Sequence, residues 1–177
     1  MVSGFQISVT DLKWLSFADH EESYVNDNPE DLCLHGHATA IIGDESFEYD
    51  AAVSSTALYL LKSLTEDHVI NEDNQLLPCC GFTMWLKDDG SGDVFVMGCD
   101  DGIDWSILHE KDTVRLITKS GKETVVSLEE YKEQVFSFAD FIEEFYQNCQ
   151  EKVLPEDEHD RRGYLAFWEE WHRRRQA

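Results

Sequence analysis

Gly81-Phe-Thr-Met-Trp-Leu-Lys-Asp-Asp-Gly-Ser-Gly-Asp-Val-Phe-Val-Met-Gly-Cys-Asp100 opens the stretch whose reading decides the fold. Strand-length runs at Phe82 to Lys87 and Asp93 to Cys99 flank a Gly/Asp turn. Ile103 to His109, Thr113 to Lys119 and Glu123 to Ser127 continue the pattern across Asp100-Asp-Gly, Glu110-Lys-Asp and Ser120-Gly-Lys. Short strands joined by tight turns of this composition argue antiparallel pairing, because parallel strands need crossovers of a dozen residues or more. The expectation is a meander over about 82–127.

Outward from the meander, helices are predicted on both sides. Ser127-Leu-Glu-Glu130 is a capping box, in which the serine hydroxyl accepts from the third helical amide. Leu128, Tyr131, Val135, Phe138, Ile142, Phe145 and Cys149 then recur at steps of three and four, a stripe of about six turns that docks on the sheet. After Pro155 a C-terminal helix is expected over about 160–174, ending in Arg173-Arg-Arg at its carbonyl end. Upstream, Val53, Ala57, Leu60, Leu61 and Leu64 mark a helix over about 51–66, with Asp50 as its cap. Phe5 to Thr10 and Leu32 to Ile42 alternate as strands, and the second puts Leu34, Ala38, Ala40 and Ile42 on its core face. His20 to Asp31 and Asp67 to Gln75 read as acidic loops. The sum is one α+β domain spanning 1–177: an antiparallel sheet of five to six strands packed by two to three helices.

Composition narrows the function classes. The chain carries 37 Asp+Glu against 14 Lys+Arg, a formal net charge of −23 in 177 residues. Met1 to Glu110 holds 22 of the acids and only Lys13, Lys62 and Lys87 as bases. Such a field repels nucleic acid and anionic membrane and draws cationic partners at long range. With 42 % hydrophobic residues the charge must ride on a folded surface. No run approaches the ~20 apolar residues of a membrane span, and the N-terminus lacks the features of a signal peptide. A cytoplasmic location follows as the expectation, with the five cysteines as reduced thiols.

The motifs offer little chemistry. Phosphate-cradling, dinucleotide and nucleophile-elbow signatures are absent, so no cofactor is expected and the balance leans away from an enzyme. His35-Gly-His37 sets two imidazoles on one side of a strand, the best metal-ligand pair in the chain, although a two-residue motif is more often packing than ligation. Cys79-Cys80 lacks the Cys-x-x-Cys spacing of redox and zinc sites and reads as two packed thiols. Asp88, Asp89 and Asp93, and again Asp100, Asp101 and Asp104, look like fragments of calcium loops without the distal ligand. Lying at opposite ends of one strand, about 20 Å apart at ~3.3 Å per residue, the two groups do not share an ion. They suit contact with Lys and Arg side chains instead, with Trp85 and Trp105 as exposed aromatic anchors.

On these features the chain resembles, in type, the small acidic bacterial immunity proteins: a strongly acidic α+β domain without a catalytic signature. The resemblance implies a stoichiometric inhibitor that covers the cationic surface of a toxin such as a nuclease. Two other readings stand beside it, a metal-dependent hydrolase using His35 and His37 and a non-catalytic accessory module. The sequence leaves the partner, the acidic face it meets and the oligomeric state open.

Overall fold

The computed structural model describes residues 4–71 and 73–177. β1 (Phe5–Ser16) and β2 (Ser23–Val25) lead into β3 (His35–Ile42) and β4 (Glu45–Ala51), which pair in the order β2-β1-β3-β4, all antiparallel. Alternation drives this sheet: Phe5, Ile7, Ala38, Ala40 and Ile42 are buried on one face, while Ser8, Thr39 and Glu48 lie in register on the other. A bulge between Thr10 and Lys13, with Asp11 at φ 55°, bends the long β1.

α1 (Val53–Lys62) follows and is buried along its whole length from Val53 to Leu61, packing against both later helices. β5 (Leu77–Pro78), β6 (Thr83–Leu86), β7 (Val94–Met97), β8 (Gly102–Ile103), β9 (Trp105–Glu110), β10 (Thr113–Thr118) and β11 (Glu123–Ser127) come next. α2 (Leu128–Asn148) and α3 (Glu158–Arg175) close the described chain. The serine cap works as read, since the Glu130 amide donates to Ser127 Oγ at 3.1 Å, and Tyr131, Val135, Phe138 and Ile142 bury the predicted stripe. α3 starts two residues early because Asp157 caps it, accepting from the Asp160 amide. It lies so close on β6 that a Cβ on Gly163 would meet the Met84 carbonyl at 1.6 Å; only glycine fits there.

The α+β class holds, but the single five- to six-stranded sheet does not. The meander divides among three small sheets: the hairpin β6-β7, the pair β5-β8, and β11-β10-β9. Asp100-Asp101-Gly102 does not turn β7 back onto β9; it feeds β8, which pairs upstream with β5 instead. Three further expectations also shift. Asp50 belongs to β4 and binds His37, so Ala52 holds the cap position of α1 and no side chain caps the helix. The loop 20–31 contains β2, whose Tyr24 ring stands 6.1 Å from the His35 ring, and His35 is buried on what was to be the polar face of β3.

Candidate functional site

The predicted contact residues fall into two sets. Asp88, Asp89, Asp100 and Asp101 are exposed. Asp89 is occupied locally, accepting from Ser91 through its amide (3.0 Å) and hydroxyl (2.5 Å), which lowers its carboxyl below the usual range. Asp93 and Asp104 are turned inward and are no part of a free acidic surface. Asp104 accepts from His68 Nε2 at 2.8 Å and from the amides of Asn71 and Leu76, holding these three residues together. Asp93 sits beneath Lys62 (3.0 Å), Arg173 (2.8 Å) and Arg174 (3.1 Å). Burial pushes its carboxyl up, but the Lys62 hydrogen bond and the three cations outweigh this and hold it below the ordinary range.

Trp105 is a correction: it is 0 % exposed, 6.3 Å from the Phe5 ring, and belongs to the core rather than to any docking surface. Trp85 is half-buried beside His159, and its Nε1 donates to Asp160.

The larger feature lies next to Trp85. A cleft of about 570 Å³ opens between the end of β1, the 28–32 loop, the start of β6 and the approach to α3. Phe17 and Phe82 line it, 66 % and 60 % exposed, together with Glu30, Asp31, Met84 and Asp160. Its lining contains no lysine or arginine. The walls are fixed: Asp31 accepts from the Leu15 and Cys33 amides (2.7 and 3.2 Å), and Asn28 Nδ2 donates to the Leu15 carbonyl. Nearby cations are turned to other work. Lys152 lies over the Trp14 ring and donates to the Asn28 carbonyl, burial pulling its ammonium down to about 8, and Arg161 donates to the Pro155 and Glu156 carbonyls.

Charge elsewhere follows the same division. Among the described residues, lysine or arginine ion-pairs with seven carboxylates: Asp44, Glu66, Asp93, Glu110, Glu123, Asp140 and Glu170. Arg173, Arg174 and Arg175 fold back onto the acidic body, the last through a bidentate pair with Asp140. Most of the 37 carboxylates are therefore not neutralised by the chain's own cations.

The histidine pair and the cysteines trade places in importance. His37 binds Asp50 at 2.9 Å with Glu48 at 3.9 Å, while His35 is buried, its Nδ1 without a hydrogen-bond partner among the described residues. Burial lowers the His35 pKa. Among the described residues, the group of three ligand atoms close enough for one ion is Cys79, Cys80 and Cys99. Cys80 Sγ lies 3.1 Å from Cys99 Sγ and accepts from the Cys99 amide at 3.0 Å. Hydrogen bonds from its two neighbours lower the Cys99 thiol, and the same contact raises Cys79 to about 11.

No protein-family model matches the chain, and no curated protein or solved structure is significantly similar to it. No described helix is long and apolar enough to cross a membrane. Phe17, Phe82, Glu30 and Asp31 were not legible as a site, since lone aromatics in polar segments carry no pattern. The cysteine trio becomes readable only once the strands are paired. The β6-β7 register pairs Thr83 with Met97, and extending it two residues sets Gly81 opposite Cys99, with Cys80 alongside.

Proposed function

We propose that this protein is a stoichiometric binder that covers a cationic surface of a partner protein, in the manner of an immunity protein against a basic toxin such as a nuclease. The observation that carries the reading is the cleft: two exposed phenylalanines share its lining with Glu30, Asp31 and Asp160, and no lysine or arginine is among the described lining residues. Aromatic anchors in a preformed depression supply affinity, and the surrounding uncompensated carboxylates supply steering and a preference for Arg- and Lys-rich surfaces. A nuclease surface is cationic because it holds phosphates, so a carboxylate-lined cover competes directly with the substrate.

The test mixes the purified chain with the basic protein encoded beside its gene and follows association by stopped flow. A one-to-one complex is expected, with an on-rate that falls steeply as salt rises. Failure to form a complex, or an association indifferent to salt, overturns the reading.

A further inference from the structure

We infer that Cys79, Cys80 and Cys99 form a binding site for a single thiophilic cation of the Zn²⁺ class. The inference stands apart from the docking role, because it uses none of the cleft-lining residues.

Three features of the chain bring the thiols together. Cys79 and Cys80 follow β5 directly, and Cys99 follows β7 after one glycine. The Cys79 amide donates to the Asp101 carbonyl at 2.9 Å, and the Phe82 amide donates to the Met97 carbonyl at 3.1 Å, so backbone bonds clamp both sides of the trio. Gly98 makes the approach feasible: a Cβ there would stand 2.1 Å from the Cys80 carbonyl oxygen. Any other residue would push the two sulfur-bearing segments apart.

The resulting donor set fits the chemistry. All three sulfurs lie within 4.8 Å of one another. Sulfurs around a tetrahedral zinc at about 2.3 Å stand roughly 3.8 Å apart, so small side-chain rotations suffice to close on an ion. Thiolates select Zn²⁺ and other soft or borderline ions over Mg²⁺ and Ca²⁺. Cys79 and Cys80 are partly covered while Cys99 is exposed, which leaves an entry path and a fourth position open to solvent water. The dication also offsets the charge of three thiolates beside Asp100 and Asp101. Adjacent cysteines, whose disulfide would strain the peptide between them, face no such obstacle as two ligands joined by a third from another strand.

The test uses the full untagged chain, reduced and held under anaerobic conditions, titrated with Co²⁺ and then Zn²⁺. One Co²⁺ per chain with thiolate-to-cobalt charge transfer and tetrahedral visible bands, displaced by Zn²⁺, is the expected result. Cys99→Ser and Cys80→Ser lose the charge-transfer band, while Cys149→Ser, outside the trio, keeps it. If Cys80→Ser fails to fold, the exposed Cys99→Ser still decides. An octahedral cobalt spectrum without charge transfer, or Zn²⁺ bound equally well by Cys99→Ser, overturns the inference. So does a chain isolated with a Cys80–Cys99 disulfide that takes up no metal once reduced; the trio is then a redox pair with a neighbour.

Discussion

The seam between α3 and β7 and the cleft beside Phe17 are both acidic, yet they use carboxylates in opposite ways. At the seam, Glu170 is 1 % exposed and accepts from the Val94 amide (2.7 Å) and from Arg174 Nε (2.7 Å), while Arg174 also reaches Glu66 and Asp93. Lys62 and Arg173 complete the neutralisation. In the cleft, Asp31 spends its oxygens on backbone amides, and Glu30 has no cation opposite it among the described residues. A buried carboxylate must be compensated from within the chain. An exposed one is left for the solvent or for a partner, so the location of the chain's few cations separates structural from available charge.

Breaking the seam has the largest expected effect. Glu170→Gln removes the most buried of Arg174's three carboxylate partners, leaving Glu66 and Asp93, and should cost about 3 kcal/mol in urea unfolding, while partner affinity of the folded fraction stays unchanged. Equal stability of Glu170→Gln and the parent chain contradicts the structural role assigned to the seam.

The cleft predicts the reverse. Phe17→Ala and Phe82→Ala each weaken the proposed complex by about 2 kcal/mol, roughly thirty-fold in Kd, measured by calorimetry. Their unfolding free energies change by less than about 0.5 kcal/mol, because both rings already face water. Should either variant lose stability instead of affinity, the ring is holding the cleft wall together.

The smallest effect sharpens the seam by pH. The Asp93 carboxyl is held below its unfolded value, so it contributes stability above about pH 4 that disappears as pH falls through its folded value. Asp93→Asn is expected to lower stability by about 1.5 kcal/mol at neutral pH and to flatten the acid limb of the stability profile. A variant whose acid limb runs parallel to the parent's shows that other carboxylates govern acid unfolding.

Periodicity carried the legible part of the fold. The α2 stripe from Tyr131 to Ile142, the Ser127 cap and the core face Ala38, Ala40, Ile42 each rest on neighbours a few residues apart, and all were readable. Sheet membership was not, because β8 chose β5, some 25 residues upstream, over the strands flanking it, and no local pattern encodes that choice. The site was harder still. Asp93 and Asp104 look like their exposed neighbours in sequence, and each was turned inward by groups more than thirty residues away, Lys62 and Arg174 for one and His68 for the other. Trp105 read as an anchor for the same reason: an aromatic beside an acidic turn is the same letter whether it faces solvent or Phe5.

By itself, then, the sequence determined the α+β composition, the positions of the three helices to within a few residues, and a surplus of negative charge too large for the chain to cancel. Those properties follow from counts and short-range spacing. Tertiary structure alone decided which carboxylates stay exposed, that Phe17 and Phe82 flank one cleft, and that Cys99 joins Cys79 and Cys80, because each depends on contacts between distant segments that only folding brings within a few ångströms.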